Sequence, residues 1–329
     1  MNPTKKQKHR RKKLMLNKRI YGVLGIKSVM ANWNADFTGF PKSISTGEVF
    51  GSDKALKYPI KRMWEDQNEK VVYLKSFKTD IVKKKGESDA IKVRPKSLKE
   101  RYEEVFNVQN LKDERDNITV LKNLFTAIDI KNFGATFAEE GNNLSITGAV
   151  QITQGFNKYN GHNVEEQQIL SPFRDSTKDE AEQSTLGTKI VSNEAHYFYG
   201  FAINPSVYKN FIQMGVTEGY TQEDYEKFKT AASIAATSYN TNAKVGCENE
   251  FALFIETEPE LYLPDLAQYI TFEKNPDSKD IIQLGITDLI NSLENRIQSV
   301  EIYYNPYTTI LEGELNKVKL FNIFTKAEV

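Results

Sequence analysis

Residues 19–29 read RIYGVLGIKSV, and this stretch decides how the rest of the chain can be arranged. Both alternating sets of its side chains are apolar, namely Ile20, Leu24 and Ile26 on one side and Tyr21, Val23 and Val29 on the other. A strand with two apolar faces is covered on both sides, so the pattern predicts a central strand. Lys27 is an exception near the end of that strand.

The segments that follow mix extended and helical patterns. Strands are predicted at residues 70–75, 196–203, 249–256, 299–304 and 315–324, a hairpin at 133–138 and 144–152 through the turn EEGNN, and helices at 98–106, 116–128 and 288–298. A capping-box start at Thr221 to Asp224 predicts a further helix. This order, with no internal repeat or domain linker, favours an α+β sheet domain with insertions over a doubly wound enzyme.

The stretch GEVFGSDKALKYPIKRMW, residues 47–64, predicts an amphipathic basic helix capped by Ser52. Lys54, Lys57 and Lys61 fall on one side of this helix, and Leu56, Ile60, Met63 and Trp64 fall on the other. The cations and the free amides of the first turn suit phosphate, although an ordinary amphipathic helix with solvated lysines shows the same pattern. Pro59 predicts either a kink or a helix whose regular part begins near it.

The loop before this helix holds Trp33, Phe37 and Phe40 among small polar residues, together with Lys42. Exposed aromatic rings beside a cation suit base stacking. The alternative is that these rings pack back onto the core.

Charge is divided unevenly along a chain whose formal net charge is zero. Residues 1–101 carry 26 Lys or Arg against 10 Asp or Glu, and the remainder carries 18 against 34. This division indicates a polyanionic partner, or copies that meet basic face to acidic face. Residues 1–13 are basic with almost no apolar side chains, so we expect a disordered tail that either binds RNA non-specifically or only aids solubility.

Composition limits the remaining classes of function. Cys247 is the one cysteine, so no disulfide and no multi-cysteine metal site can form within the chain. No apolar run approaches a membrane span and no signal peptide is visible, so we expect a cytoplasmic protein without membrane contact.

Catalytic signals are weak. Phosphate-binding, nucleophile-elbow, zinc-protease and dinucleotide motifs are absent from the sequence. His162 and His196 are the histidines outside the basic tail, and nothing indicates that they meet. The carboxylates Asp179, Glu180 and Glu182 fit solvated surface better than a metal site. We therefore predict no catalytic residue, no cofactor and no metal.

Three segments together resemble a known family. The first strand with GEVFGSDKALKYPIKR, the hairpin FGATFAEEGNNLSITGAVQI and the stretch TLGTKIVSNEAHYFYGFAINP are similar to the RAMP-type backbone subunit of the CRISPR Cascade effector, closest to its subtype I-B form. The resemblance covers most of residues 18–255. It implies an RRM-like (ferredoxin-like) palm over residues 18–329 after a tail at 1–17, a finger insertion at about 76–115 and a thumb at about 157–195.

The resemblance also implies function. Several copies would form a helical filament on one CRISPR RNA, which base-pairs with target DNA in antiviral defence, and the thumb would kink out one nucleotide at regular intervals. The other expected partners are the remaining Cascade subunits, namely the large subunit, the subunit that caps the CRISPR RNA 5′ end and the endoribonuclease that processes it. The predicted RNA-binding residues are Lys27, Lys42, Ser52, Lys54, Lys57, Lys61, Arg62, Phe173, Arg174 and Lys189.

Two other functions stay open at this point. Type III relatives cleave target RNA with an aspartate in the loop after the first strand, and Asp36 lies in the comparable loop. The subtype I resemblance implies no cleavage, so Asp36 is interpreted as structural. A purely structural assembly protein that binds no nucleic acid is the other alternative.

Overall fold

A computed structural model of the chain describes residues 15–82, 90–114, 116–170 and 186–329. The strands are β1 (Arg19–Ala31), β2 (Phe50–Gly51), β3 (Phe77–Val82), β4 (Ala90–Pro95), β5 (Gly134–Glu139), β6 (Asn142–Thr147), β7 (Val150–Ile152), β8 (Gly155–Asn157), β9 (Val164–Leu170), β10 (Leu186–Ile203), β11 (Cys247–Thr257), β12 (Ile270–Glu273), β13 (Asp280–Leu284), β14 (Ile297–Tyr304), β15 (Thr309–Glu312) and β16 (Val318–Asn322). The helices are α1 (Asp53–Asp66), α2 (Leu98–Phe106), α3 (Asn117–Leu124), α4 (Ile128–Phe133), α5 (Lys209–Gln213), α6 (Gln222–Ala232), α7 (Ala235–Ser238) and α8 (Thr287–Ser292). The mixed α/β content confirms the coarse class predicted from the sequence.

Strand β1 lies in the middle of the main sheet, as its two apolar faces predict. The sheet runs in the order β16-β14-β11-β1-β10-β8-β2, and β7 and β9 also pair with β10. Strand β1 is antiparallel to both of its neighbours, β10 and β11. Gly22 makes this packing possible, because a Cβ at that position would lie 1.9 Å from the carbonyl oxygen of Leu253.

Each face of this sheet has its own apolar core. Leu24 and Ile26 pack on the face that α1, α6 and α7 cover, together with Leu56, Trp64 and Phe228. Tyr21 and Val23 pack on the opposite face. That second face is covered by the segment that carries the small sheet β12-β13-β15 and α8, through residues that include Leu266, Ile270, Ile282 and Ile290.

Helix α1 begins where the sequence predicts. Ser52 is the N-cap, and its Oγ accepts a hydrogen bond of 3.3 Å from the amide of Ala55. Pro59 lies inside the helix and is buried, so the helix neither ends nor begins there. The predicted apolar side is also confirmed, since Leu56, Ile60 and Trp64 are buried and Met63 is partly buried.

Several predicted elements agree with the structure in kind and differ in extent. The hairpin at 133–152 becomes the β5–β6 pair, closed by Glu140 and Gly141 at φ 50° and 83°. The last residues of the predicted second strand, Val150–Ile152, form β7, which pairs with β10 of the main sheet. The predicted helix at 116–128 is divided into α3 and α4, because the amide of Ile128 donates to the carbonyl of Lys70 and not back into α3. The capping box of Thr221 and Asp224 at α6 is confirmed.

The strand predicted at residues 70–75 is wrong. The amides of Val72 and Tyr73 donate to the carboxylate of Asp129, at 3.1 and 2.8 Å, so they do not enter a ladder. The lysine-rich piece that follows forms a separate hairpin, β3–β4. The polar extension contributes a second hairpin, in which β9 pairs with the first part of β10. Most of the tail predicted at residues 1–17 lies outside the described residues, which begin at Met15. Leu16, inside the predicted tail, is buried, and its amide donates to the carbonyl of Tyr220.

Sequence patterns missed the small sheet β12-β13-β15. Its strands are only four or five residues long, and β12 and β15 carry polar side chains among the apolar ones. None of the helices within the described ranges has the length and hydropathy that a membrane crossing requires.

Candidate nucleic-acid interface

The loop between β1 and β2, residues 32–49, is held against the start of α1. The side-chain oxygen of Asn34 accepts a hydrogen bond of 2.8 Å from the amide of Ser52, the N-cap residue. The backbone carbonyl of Asn34 accepts from the amide of Lys42 at 2.9 Å, and Lys42 in turn accepts from Phe50. These bonds place the backbone of Lys42 near the first turn of α1.

Two side chains also hold this loop in place. The indole N–H of Trp33 donates to the hydroxyl of Tyr199 at 2.6 Å. The ammonium of the half-buried Lys244 donates to the carbonyls of Asn32, at 2.8 Å, and Trp33. Burial lowers the pKa of Lys244 to about 8.

The aromatic side chains of this loop divide between the two predicted roles. Trp33 is 1% exposed and belongs to the core, as the packing alternative predicts. Phe37 is fully exposed at the loop tip, and Phe40 is 37% exposed. An exposed phenyl ring on a fixed loop is a surface on which a base can stack.

Asp36 shapes the tip of the loop. Its carboxylate accepts hydrogen bonds from the amide and hydroxyl of Thr38, at 2.8 and 2.7 Å, and from the amide of Phe40 at 3.0 Å. The hydroxyl of Thr38 is the main reason why the pKa of Asp36 is lowered. These bonds give Asp36 a structural role in the turn.

The four cations of α1 have different environments. Lys54 is exposed, and no carboxylate in the described part of the chain forms an ion pair with it. The ammonium of Lys57 lies 2.8 Å from Asp53 and over the ring of Phe133. Arg62 pairs with Glu65 and Asp66.

Lys61 is the most enclosed of these cations. Its ammonium donates to the carbonyl of Tyr73 at 2.9 Å. Burial lowers the pKa of Lys61 and outweighs the opposing charge of Asp129. Lys57 and Lys61 are bonded within the protein, so Lys54 is the freely solvated cation on the predicted basic side of α1. Contact of Lys57 and Lys61 with RNA stays a prediction.

Lys27 lies on the other face of the sheet. It is paired in register with His196, whose ring stacks on Phe272 at 3.6 Å on the face covered by the small sheet. His196 is fully buried between two carboxylates, with Nδ1 2.8 Å from Glu250 and Nε2 3.1 Å from Glu194. Burial lowers the pKa of His196, but the charges and hydrogen bonds of the two carboxylates outweigh it and raise that pKa overall. The structure therefore separates Lys27 from α1.

The hairpin β9–β10 contributes one predicted residue that can be placed. Lys189 is half-buried in β10, opposite Gln167 of β9, and lines a groove beside the loop that carries Phe37. Phe173 and Arg174, and the acidic residues Asp179, Glu180 and Glu182, lie outside the described residues. His162 contacts Ser192 and is not bonded to His196.

Sequence reasoning missed the residues that hold the interface in place. Asn34, Lys244 and Tyr199 act across separations of 18, 211 and 166 residues. No local pattern marks such contacts, since each depends on which strands become neighbours.

The fold and this surface together define an α+β protein whose fixed loop, helix start and hairpin present cations and an aromatic ring suited to single-stranded nucleic acid. The sequence profile described as "CRISPR-associated protein Cas7" matches residues 18–288, and the chain belongs to that family. No curated protein matches the chain.

Two solved structures match the chain. One is titled "CRISPR RNA-guided surveillance complex, pre-nicking", with 12% identity, a TM-score of 0.45, and coverage of 92% of this chain and 96% of that chain. The other is titled "CRISPR RNA-guided surveillance complex", with 13% identity, a TM-score of 0.41, and coverage of 86% and 88%.

Proposed function

We propose that this protein is the CRISPR RNA-binding backbone subunit of a type I CRISPR surveillance complex, and that it acts without catalysis. The observation that carries the proposal is the family match, because it spans residues 18–288 and so includes strands β1, β10 and β11 of the main sheet, α1, and the β3–β4 and β9–β10 hairpins. The subtype I-B form stays a prediction within this proposal. A cytoplasmic location also stays a prediction, and the single cysteine is in keeping with it.

The domain organisation proposed for this function is an RRM-like palm with a finger region at about 76–115 and a thumb at about 157–195. The strand order β11-β1-β10-β8, with antiparallel pairing throughout and α1 and α6 on one face, supports the palm. The β3–β4 and β9–β10 hairpins support the finger and thumb, since each falls within one of the two expected insertions. The first forms a two-stranded sheet of its own, and the second extends β10 beyond its pairing with β1.

The proposed RNA path runs along the edge of the palm. Lys42, Lys54 and Lys189 would contact phosphates, and the first-turn amides of α1 beside Ser52 would add a site that favours anions. Phe37 would stack on a base. Lys57 and Lys61 would act by holding α1 in position, because their ammonium groups already bond to Asp53 and Tyr73.

Contacts of this kind fix register and carry little sequence information. A guide-holding protein needs that property, because base pairing between the guide and target DNA supplies specificity. The uneven charge of the chain suits a head-to-tail assembly, in which the basic part of one copy meets the acidic part of the next. The other subunits of the complex would bind at the ends and along the side of such a filament.

Purification with and without a CRISPR array tests this proposal directly. Material co-produced with the array should show an absorbance ratio at 260 and 280 nm typical of a ribonucleoprotein, and electron micrographs should show filaments. Nuclease treatment should remove both signals. A monomeric, RNA-free protein under these conditions would contradict the proposal and favour a purely structural role.

A separate assay addresses the cleavage alternative. The assembled particle is incubated with labelled complementary RNA and magnesium. We expect intact RNA, since Asp36 is engaged by the amides and hydroxyl of its own turn. Regularly spaced cuts that Asp36→Ala abolishes would establish the endonuclease function instead.

A further inference from the structure

The loop of residues 32–49 is anchored at its base by a cation from a distant part of the chain. The ammonium of Lys244 donates to the carbonyls of Asn32, at 2.8 Å, and Trp33, and lies 5.2 Å from the centroid of the Trp33 ring. No carboxylate in the described part of the chain forms an ion pair with this ammonium. Its bonding partners are therefore the backbone and one ring of the loop, and taking such a cation out of water is costly unless those contacts compensate.

The turn that carries Lys244 is itself fixed to the end of β1. The amide of Asn32 donates to the carbonyl of Ala243, and the amide of Val29 donates to the carbonyl of Gly246, both at 2.9 Å. Gly246 has a φ of 101°, and a Cβ there would lie 2.3 Å from the carbonyl oxygen of Val29. These contacts present the ammonium of Lys244 to the loop in a defined position.

Tyr199 joins the same loop to the start of α1. Its ring is fully buried, and its hydroxyl accepts the indole N–H of Trp33 at 2.6 Å. The hydroxyl oxygen also lies directly against β2, because a Cβ on Gly51 would be 1.8 Å from it. Gly51 immediately precedes Ser52, the N-cap of α1. One buried hydroxyl therefore contacts both the base of the loop and the residue before the helix.

The tip of the loop contributes little to its own anchoring. Phe37 is fully exposed and Phe40 is 37% exposed, so neither ring buries the surface that would hold the tip against the core. The carboxylate of Asp36 bonds only to groups of its own turn, Thr38 and Phe40. The position of the tip therefore depends on the contacts at the base of the loop.

We propose that Lys244 and Tyr199 are positioning residues for RNA, which hold the loop in its binding conformation before RNA arrives and so set the affinity without contacting RNA. These roles rest on the proposed RNA-binding function and go beyond it, because they assign affinity to groups that lie beneath the interface. A loop that is ordered in advance loses little chain entropy on binding, whereas a loosened loop loses it when RNA binds. Removing either anchor should therefore weaken binding and leave the number of phosphate contacts unchanged.

Two conservative variants test these roles in the full chain. Lys244→Met keeps the apolar stem and removes the ammonium, and Tyr199→Phe keeps the ring and removes the hydroxyl. Fluorescence anisotropy with a labelled single-stranded RNA that holds one copy should show each variant binding on the order of tenfold more weakly than the wild type. The slope of log affinity against log salt should stay at the wild-type value, because no phosphate contact is lost.

Fluorine NMR reports on the loop itself. The chain has two tryptophans, Trp33 and Trp64, so protein labelled with 5-fluorotryptophan gives two signals that Trp64→Phe assigns. In each RNA-free variant the Trp33 signal should broaden or split, and it should return to a single sharp signal when RNA binds. The Trp64 signal should stay unchanged throughout.

Tyr220→Phe is the matched control for a merely structural loss. Its buried hydroxyl donates to Oδ1 of Asn132 at 2.7 Å, and its carbonyl accepts from Leu16, ahead of the start of β1 and away from the loop. This variant should lower the stability and leave the RNA affinity and the Trp33 signal unchanged. An equal loss of affinity in Tyr220→Phe would overturn the proposal, because stability alone would then explain the effect.

Two other results would also overturn it. One is wild-type affinity in both Lys244→Met and Tyr199→Phe. The other is a slope that becomes shallower by roughly 0.7 in Lys244→Met, since that change marks a direct phosphate contact. If one variant fails to fold, the other carries the test. A wild-type chain that binds no RNA would contradict the proposed function instead, and the Trp33 signals of the RNA-free variants would still show whether the two residues anchor the loop.

Discussion

Lys54 and Lys57 lie three residues apart on α1, and exchanging each for Gln tests whether the structure distinguishes an RNA contact from a structural cation. Lys54 is exposed, whereas Lys57 pairs with Asp53 at 2.8 Å and lies 5.2 Å from the ring centroid of Phe133. We expect Lys54→Gln to weaken RNA binding with little change in stability. We expect Lys57→Gln to leave RNA binding nearly unchanged and to lower the stability of the fold.

The expected size follows from counterion release. If Lys42, Lys54 and Lys189 each neutralise one phosphate, the slope of log affinity against log salt is roughly −2.1, so affinity falls roughly 18-fold between 50 and 200 mM salt. With Lys54 removed, the slope becomes roughly −1.4 and the fall roughly 7-fold. Lys57→Gln should leave the slope unchanged and lower the free energy of unfolding by about 1 kcal/mol, from the lost ion pair and ring contact.

Fluorescence anisotropy measures this with a labelled single-stranded RNA short enough to hold one copy, at several salt concentrations. Urea unfolding of the same two variants gives their stabilities. If the slope of log affinity against log salt becomes equally shallower in both variants, the ion pair between Lys57 and Asp53 opens on RNA binding. A loss confined to Lys57→Gln would refute the assignment made from the structure.

Three further outcomes follow from the packing and the buried charges. The folded pKa of His196 is raised above its usual 6.5, so its contribution to stability is complete below that pH and is lost as pH rises through the folded value. The carboxylate of Glu194, whose pKa is about 2 mainly through its bond to His196, contributes above about 4.5, and this contribution is lost as pH falls towards 2. Urea unfolding of the wild type should therefore show a decline in stability at both ends of the pH range, and His196→Gln should flatten both, because it also removes the charge that lowers the pKa of Glu194. Gly22→Ala should lower the free energy of unfolding by about 3 kcal/mol or more, because the new Cβ would meet the carbonyl of Leu253 at 1.9 Å; unchanged thermal unfolding would contradict this. Ser52→Ala should cost about 1 kcal/mol through loss of the cap on α1, with Ser52→Gly losing only a few tenths in the same urea titration.

The parts of the fold that the sequence predicted are those set by local pattern. Two apolar sets identified β1, and short-range capping residues identified the starts of α1 and α6. The predictions failed where a side chain distant in sequence accepts a hydrogen bond from a backbone amide. The carboxylate of Asp129 accepts the amides of Val72 and Tyr73, which breaks a strand pattern that periodicity alone supports.

The candidate site divides in the same way. The sequence predicted Lys42, Ser52 and Lys54 as RNA contacts, and these assignments stay predictions; what the structure does confirm is that Ser52 caps α1 and that Lys54 is exposed. The sequence could not reveal that Lys61 donates to the carbonyl of Tyr73, since that contact joins α1 to a separate segment. The Asp53–Lys57 pair, by contrast, is an i, i+4 contact that helix spacing indicates. Nor could the sequence place Lys27 on the opposite face of the sheet from α1, because that depends on how β10 and β11 present His196 and Glu250.

The covering of both faces of the main sheet limits where RNA can bind. In RRM proteins, single-stranded RNA stacks on aromatic side chains of the open sheet face. Here that face, opposite α1 and α6, is closed, since Tyr21 and Val23 are buried beneath the segment that carries Leu266 and Ile282. Single-stranded RNA would therefore have to follow the edge where loops and hairpins leave the sheet. The fixed loop with Phe37, the start of α1 and the β9–β10 hairpin lie along that edge, so under the proposed function the two-faced apolar pattern of β1 would direct binding away from the sheet faces and onto the edge.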